Sequence, residues 1–239
     1  MTELLYQTDA YLKEFSAVIT SVDAEARAVV LDRSAFYPGG GGQPCDFGTL
    51  EVNGVKYPVE KVKKQGDDVL HVLGGTEPLP TPGSASLGTL DWVRRHKLMR
   101  THTALHILCG TVFRDYGAKV TGGDMEPLKG RMDFEFETMR AELVREIEAA
   151  VNAEVKKNHE IRVKILPREE AFQIPDLIRT KINLLPEGIM QVRTVEIVGL
   201  DLQADGGTHV ANTSEVGTIK VVEYKSKGAI NKRLYIEIE

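Results

Sequence analysis

The sequence predicts an α+β fold in two parts: a small β-barrel domain over residues 1–90 and an α/β two-layer domain over residues 91–239. Short apolar runs separated by turn residues fill the first part, which is typical of a small barrel. At Trp92 the pattern changes to the three- and four-residue spacing of an amphipathic helix. Helical and alternating segments then follow one another, as in domains that pack helices beside a sheet.

In the first part, the dipeptide Asn53-Gly54 lies between two strand-like runs and is a strong signal for a β-hairpin. A proline-rich stretch at residues 78–83 predicts a surface loop before the last strand. The predicted strands cover residues 17–22, 28–32, 48–52, 55–59, 68–73 and 84–91.

In the second part, a helix that begins at Asp91 or Trp92 is expected to end at Gly117, since glycine commonly follows the last helical turn. Leu143, Ile147 and Val151 repeat at four-residue steps and predict a second amphipathic helix. The remaining predictions are a helix at residues 138–157, a short helix at 168–172, and strands at 131–136, 161–165, 190–198, 217–224 and 234–238.

The composition is that of an ordinary globular protein. Of the 239 residues, 42% are hydrophobic and 27% are charged, and no apolar run approaches the ~18 residues of a membrane span. The N-terminus does not resemble a signal peptide, and Cys45 and Cys109 fit no metal or disulfide spacing, so we expect a reducing, cytoplasmic location. The net charge of −5 argues against a general nucleic-acid coat protein but permits local basic patches.

Two histidines, His102 and His106, are spaced to lie on one face of the predicted helix. Neutral imidazole is a common zinc ligand, and His209, with Asp205 four residues before it, offers further donors. No glutamate follows His102, so the pair is not the metalloprotease helix motif. The alternative is a partly buried helix whose histidines bond to backbone carbonyls.

Four consecutive glycines, Gly39 to Gly42, precede Gln43 and Pro44. No Lys-Ser or Lys-Thr pair follows them, so this is not a phosphate-binding P-loop. The residues alone are equally compatible with a flexible turn.

Taken together, these motifs resemble the editing domain of alanyl-tRNA synthetases and the free-standing AlaX proteins of medium length. The resemblance is carried by His102-x-x-x-His106, by the Gly-Gly-Thr-His sequence ending at His209, by residues 213–217, by the glycine-rich stretch at 36–48, and by Arg131-x-Asp133-Phe134. It spans nearly the whole chain, with the motifs in the same order. We identified no aminoacylation domain before the barrel and therefore expect no tRNA charging.

The resemblance implies a zinc-dependent aminoacyl-tRNA deacylase that works in trans. Its substrate would be tRNA(Ala) mischarged with serine or glycine, and the reaction would hydrolyse the aminoacyl ester. The metal ligands would be His102, His106 and His209. The family usually has Cys-Gly-Gly-Thr-His where this chain has Asp205, so either Asp205 is the fourth ligand or the site has three histidines and a water.

The resemblance also suggests other site residues. Thr121, Gln43 and Asp205 are the candidate catalytic residues, and Thr121 is predicted to contact the hydroxyl of a seryl substrate, unless it is simply a loop threonine before Gly122. The candidate substrate-binding residues are Gly41, Gly42, Gln43, Arg100, Thr121 and Thr208. Arg94, Arg95 and Lys97 are candidate contacts to tRNA phosphates, and the alternative for each is a solvated charged surface.

Three other functions fit parts of the same pattern. One is a zinc hydrolase of small esters or amides, and another is editing of seryl-tRNA(Thr). The third is a tRNA-binding module without catalytic activity. The sequence leaves the choice between monomer and dimer open.

Overall fold

The computed structural model describes residues 1–180 and 188–239, and its α+β composition confirms the predicted fold class. The chain divides into two compact units, Met1–His96 and Lys97–Glu239. No described helix is long and apolar enough to cross a membrane. The strands of the first unit are β1 (Glu3–Leu4), β2 (Glu14–Asp23), β3 (Ala28–Leu31), β4 (Arg33–Ser34), β5 (Gly48–Val52), β6 (Val55–Gln65), β7 (Asp68–Leu73) and β8 (Ala85–Leu90).

Six of these strands form a closed barrel in the order β2-β3-β7-β6-β5-β8, in which every neighbouring pair is antiparallel. Phe15, Ala17 and Ile19 alternate along β2 and point into the barrel core. This is the period of two expected of a strand with one buried face. Closure pairs both edges of each barrel strand, so the barrel has no free sheet edge.

The predicted hairpin between β5 and β6 is confirmed. Asn53 and Gly54 have φ angles of 51° and 80° and lie between the paired residues Val52 and Val55. Two consecutive positive φ angles define the turn whose twist matches that of the flanking strands.

The glycine-rich loop has a defined backbone conformation. All four glycines from Gly39 to Gly42 have positive φ angles, which side-chain-bearing residues rarely adopt. The loop closes on itself through two backbone hydrogen bonds between Gly40 and Gln43, of 3.0 and 2.9 Å. The sequence therefore encodes a specific turn here, and the Gln43 side chain is buried within this unit.

Helix α1 (Trp92–Tyr116) continues into the second unit and ends before Gly117, as predicted. The helix predicted from residue 138 begins three residues later. The other elements are β9 (Val120–Glu126), β10 (Lys129–Glu135), α2 (Ala141–Lys156), β11 (Ile161–Pro167), α3 (Arg168–Ala171), β12 (Gln191–Ile197), β13 (Asp201–Ala204), β14 (Ile219–Ser226) and β15 (Asn231–Ile238).

These strands form two sheets among the described residues, with the orders β14-β15-β10-β9 and β11-β12-β13. Helix α2 covers the edge of the first sheet. The Asn152 amide donates to the backbone oxygen of Ile219 at 2.7 Å and accepts from its N–H at 3.0 Å, while Glu148 accepts from the N–H of Val221 at 2.6 Å. The edge strand β14 thus obtains partners for its backbone groups from side chains.

Four of the described strands were not predicted: β1, β4, β9 and β13. Thr121 lies in β9 and not in the loop that the sequence left open as an alternative, because pairing of its neighbours with β10 compensates for the low strand propensity of Gly122 and Gly123. Strand β13 was not predicted. Its four residues extend the second sheet by pairing with the preceding strand β12, and so short a segment leaves little local pattern.

Candidate metal centre

Helix α1 presents His102 and His106 one turn apart on its buried face. Their ring centroids are 5.0 Å apart, and the two residues are 5% and 6% exposed. The surrounding residues Leu98, Leu105 and Cys109 are also buried, so both imidazoles lie in a low-dielectric environment. The helical spacing of the apolar residues and the two histidines therefore puts both imidazoles on the buried face of α1.

Strand β13 supplies the opposite side of the site. Side chains alternate between the faces of a strand, so Asp201, Gln203 and Asp205, at successive odd positions, can share one face. Register is maintained up to Asp205, whose backbone N–H donates to the carbonyl of Arg193 on β12 at 3.0 Å. The carbonyl of Asp205 in turn accepts from the Arg193 guanidinium at 2.9 Å.

A tight turn after Asp205 returns the chain toward α1. The N–H of Gly207 donates to Oδ2 of Asp205 at 2.8 Å, which is the hydrogen bond of an Asx turn. Thr208 and His209 follow, both buried, and the N–H of Val210 donates to Oγ1 of Thr103 on α1 at 3.3 Å. This contact anchors the turn beside the histidine-bearing face of the helix.

The four predicted donors converge. One ligand atom from each of His102, His106, Asp205 and His209 lies within 4.8 Å of the others, so this cluster can hold a metal ion. The His209 ring centroid is 4.2 Å from that of His102 and 4.7 Å from that of His106. Oδ2 of Asp205 is 3.0 Å from Nε2 of His209, and Oδ1 is 3.5 Å from Nε2 of His102.

The pKa shifts of His102, His209 and Asp205 suit metal binding, which requires neutral imidazoles and an ionised carboxylate. Burial, reinforced by the neighbouring imidazoles, holds the pKa of His102 well below its usual value, and burial lowers the pKa of His209 to about 4. Burial acts in the opposite direction on Asp205, but the surrounding histidines outweigh it and hold its pKa well below the usual value. Burial also favours the neutral form of His106, but the nearby carboxylates of Asp201 and Asp205 outweigh burial and leave the pKa of this ring raised.

Residues beyond the donors lie beside the Nδ1 atoms of two rings. Oγ1 of Thr103 lies 3.1 Å from Nδ1 of His209, and Oδ2 of Asp201 lies 3.6 Å from Nδ1 of His106. The contact with Thr103 leaves Nε2 of His209 available to a metal, whereas Nδ1 of His106 has no partner within hydrogen-bond distance. Sequence reasoning missed Thr103, Asp201 and Arg193, because none of them belongs to a recognisable motif; the alternation Asp201-x-Gln203-x-Asp205 was the available signal.

Other predicted site residues have different surroundings. Arg95 is fully buried and bonds to the Asp46 carboxylate and to two backbone carbonyls, so it is not presented to a tRNA phosphate. Its neighbour Arg94 stacks on the ring of Phe47 at 4.2 Å. Lys97 is half-buried at the start of the second unit.

Two further candidates lie in the second unit. Arg100 donates to the backbone carbonyls of Val216 and Glu239 at 2.9 and 3.0 Å, so its guanidinium holds the C-terminal residue in place. Thr121 is exposed on β9, and its hydroxyl donates to the side-chain oxygen of Asn231 at 2.9 Å. Gly41, Gly42 and Gln43 belong to the barrel unit described above.

Comparison with known families matches two segments of the chain. Residues 192–235, which include β13 and the turn to His209, match the family described as threonyl and alanyl tRNA synthetase second additional domain. Residues 4–94, which contain the barrel, match the family described as tRNA synthetases class II (A).

Full-length relatives are also similar. The chain is 39% identical over 243 residues to the alanyl-tRNA editing protein AlaX-M of Saccharolobus solfataricus, covering 100% of both chains. It is 37% identical to the AlaX-M protein of Methanosarcina acetivorans, covering 100% of this chain and 99% of the relative. The alanine–tRNA ligase of Ignicoccus hospitalis is 37% identical over 227 residues, which cover 92% of this chain and 24% of the ligase.

Proposed function

The chain belongs to the AlaX-M family of alanyl-tRNA editing proteins, and on that premise we propose that it hydrolyses the ester linking serine or glycine to tRNA(Ala). The observation that carries the proposal is the convergence of three imidazoles and one carboxylate in a chain similar to these proteins over its full length. A cytoplasmic location, where aminoacyl-tRNA is made and used, is part of the proposal.

We further propose that the metal is zinc and that Asp205 is its fourth ligand. Zinc takes imidazole nitrogen and carboxylate oxygen at about 2.0–2.2 Å, so ligand atoms in a tetrahedral site are about 3.4 Å apart. The distances from the Asp205 oxygens to His209 and His102, 3.0 and 3.5 Å, are close to that spacing. This supports Asp205 in the position that cysteine usually occupies in the family.

A bound zinc ion would supply Lewis-acid polarisation of the ester carbonyl and would lower the pKa of a water molecule to about 7. The protein side chains have separate tasks. Asp205 accepts a hydrogen bond from the turn and Thr103 bonds the His209 ring, so these two donors are preorganised before any substrate enters. Thr208, between Asp205 and His209 in the turn, is fully buried.

A pocket that binds alanine in a synthetase cannot exclude every wrong amino acid, and this explains which amino acids an editing site must recognise. Losing one methylene changes binding by about 1–3 kcal/mol, so a pocket for alanine cannot strongly exclude glycine. Serine is separated from alanine far better by a site that bonds its hydroxyl, since alanine would leave that polar group unpaired. We assign this contact to Thr121, with Gln43 and the glycine-rich loop as further substrate contacts.

Binding of tRNA requires cations placed to meet phosphates. Arg94 and Lys97, near the start of α1, are the proposed contacts, and both retain partial exposure. Arg95 is not proposed as a phosphate contact, because its buried guanidinium is paired with Asp46. With a net charge of −5, we expect a short basic track and a modest dependence of binding on salt.

The decisive experiment compares hydrolysis of seryl-tRNA(Ala), alanyl-tRNA(Ala) and seryl-tRNA(Thr) by the full chain, with metal content measured on the same samples. We expect rapid hydrolysis of seryl-tRNA(Ala), sparing of alanyl-tRNA(Ala), and simultaneous loss of zinc and activity in His102→Ala. His96→Ala, on the same helix outside the cluster, should keep its zinc.

Other outcomes identify the alternatives. Faster hydrolysis of seryl-tRNA(Thr) would indicate threonine-type editing, and hydrolysis of small esters without tRNA would indicate a general hydrolase. Binding of tRNA without any hydrolysis would indicate a non-catalytic module. A His102→Ala variant with full zinc content and activity would contradict the metal site.

A further inference from the structure

The second ring nitrogen of His106 faces a single carboxylate. Nδ1 of His106 is buried and has no hydrogen-bond partner within bonding distance, while Oδ2 of Asp201 lies 3.6 Å away. Asp201 itself has a completely buried side chain. The ring nitrogen and the carboxylate oxygen are both buried and lie just beyond hydrogen-bond distance. A small shift of either group would form the hydrogen bond.

Asp201 is held in this position from two sides. Its Oδ1 accepts from the Arg179 guanidinium at 3.1 Å, and its Oδ2 accepts from the Gln203 amide at 2.5 Å. The Arg179 guanidinium in turn lies over the ring of Phe113 on α1, 4.0 Å from its centroid. The carboxylate therefore has little freedom to turn away from His106.

A glycine on α1 permits the close approach of this strand. A Cβ atom built on Gly110, one turn after His106, would lie 2.8 Å from Cβ of Asp201. That distance is shorter than carbon atoms tolerate, so a side chain at Gly110 would push β13 away from the helix. The close approach of α1 to β13 at Gly110 thus occurs beside Asp201, the residue whose carboxylate faces His106.

We propose that Asp201 is a positioning residue that accepts a hydrogen bond from Nδ1–H of His106 and thereby directs Nε2 of that ring to the metal. The inference rests on the proposed metal centre. Histidine ligands usually donate their other ring N–H to a carboxylate or carbonyl, which fixes the tautomer and increases the basicity of the ligand nitrogen. Asp201 is thus assigned to His106 in the same way that Thr103 is placed beside His209.

Because Asp201 also bonds Arg179 and Gln203, a purely structural role is the competing explanation. The two roles differ in what they change. A structural role would lower the stability of the unit whenever any bond to Asp201 is lost, whereas a positioning role changes metal affinity only when the carboxylate opposite His106 is altered.

The test measures zinc affinity of the full chain by competition with a chromogenic chelator, without tRNA. Loss of an outer-shell partner typically costs about 10- to 100-fold in metal affinity, and we expect Asp201→Asn to fall in that range. Gln203→Ala is the matched control, since it removes a bond to the same oxygen but keeps the carboxylate; its zinc affinity should remain within about threefold of wild type, which is less than the smallest loss expected of an outer-shell partner.

Equal zinc affinity of Asp201→Asn and wild type would overturn the inference and leave the proposed function standing. Absence of zinc binding by the wild-type chain would overturn both. If Asp201→Asn does not fold, nitrogen-15 NMR of histidine-labelled wild type with zinc decides the question. A proton on Nδ1 of His106 supports the assignment, and a proton on Nε2 with the metal on Nδ1 refutes it.

Discussion

Oδ2 of Asp205 lies 3.0 Å from Nε2 of His209, four residues later in the chain. The same oxygen accepts the N–H of Gly207, so one carboxylate shapes the turn and faces the donor cluster. A cysteine thiolate at this position would provide a softer donor but one oxygen acceptor fewer for the turn.

Replacing Asp205 tests its place in the donor set. We expect Asp205→Ala to bind zinc at least about tenfold more weakly, as expected when a ligand is lost. Asp205→Cys should retain zinc and bind the softer ion Cd²⁺ more tightly than wild type, since thiolates favour soft metals. Chelator competition measures both affinities. Unchanged zinc affinity in the alanine variant would indicate a three-histidine site.

Thr121→Val should reduce the preference for seryl-tRNA(Ala) over alanyl-tRNA(Ala) by about tenfold, since a lost hydrogen bond costs about 1–1.5 kcal/mol. The ratio of the two deacylation rates measures the effect. Thr121→Ser keeps the hydroxyl and should keep the ratio. The Thr121 hydroxyl already donates to Asn231, so it would meet the substrate hydroxyl as an acceptor. An unchanged ratio in the valine variant would remove Thr121 from the substrate site.

Arg95→Met is expected to destabilise the barrel unit by about 3–5 kcal/mol, because it leaves the buried Asp46 carboxylate without its partner. The free energy of unfolding in urea measures the loss. Arg94→Met is the matched control at the next position; its stacking on Phe47 contributes about 0.5–1 kcal/mol. Similar losses of unfolding free energy in both variants would contradict a special stabilising role for the buried pair of Arg95 and Asp46.

His71 should make the barrel unit sensitive to acid. Burial lowers its pKa from 6.5 to about 4, while Ser34 lies 2.7 Å from Nε2 and the carbonyl of Val29 lies 3.3 Å from Nδ1. The unfolded chain therefore takes up a proton first as pH falls, and the free energy of unfolding decreases between pH 6.5 and about 4.

The full decrease from His71 is about 3 kcal/mol, at 1.36 kcal/mol for each pKa unit. Urea unfolding at several pH values across this window measures it. His71→Gln removes the titrating group and should show a smaller decrease over the same window, even if it is less stable at neutral pH. Parallel decreases in the two proteins would assign the acid sensitivity to other groups.

Local patterns predicted much of the fold and the donor residues. The hairpin at Asn53-Gly54, helix α1 with its histidine pair, and the end of that helix at Gly117 all follow from backbone preferences over a few residues. Such preferences are encoded by adjacent side chains, so a single sequence is enough to recognise them.

Other features depend on contacts between distant residues. Arg95 looks like any basic residue near a helix start, and its burial follows from the position of Asp46, 49 residues earlier. Strand β13 depends on a nearer contact: its four residues have weak strand propensity and pair with the preceding strand β12, four to ten residues away.

By itself, the sequence determined the α+β class and the identity of the four candidate donors. The tertiary structure alone decided that Asp205 faces His102 and His209 and that Asp201 stands opposite His106. The physical reason is that helix and strand periodicity determine which face a residue occupies, whereas sheet pairing and the space left by Gly110 determine which faces meet.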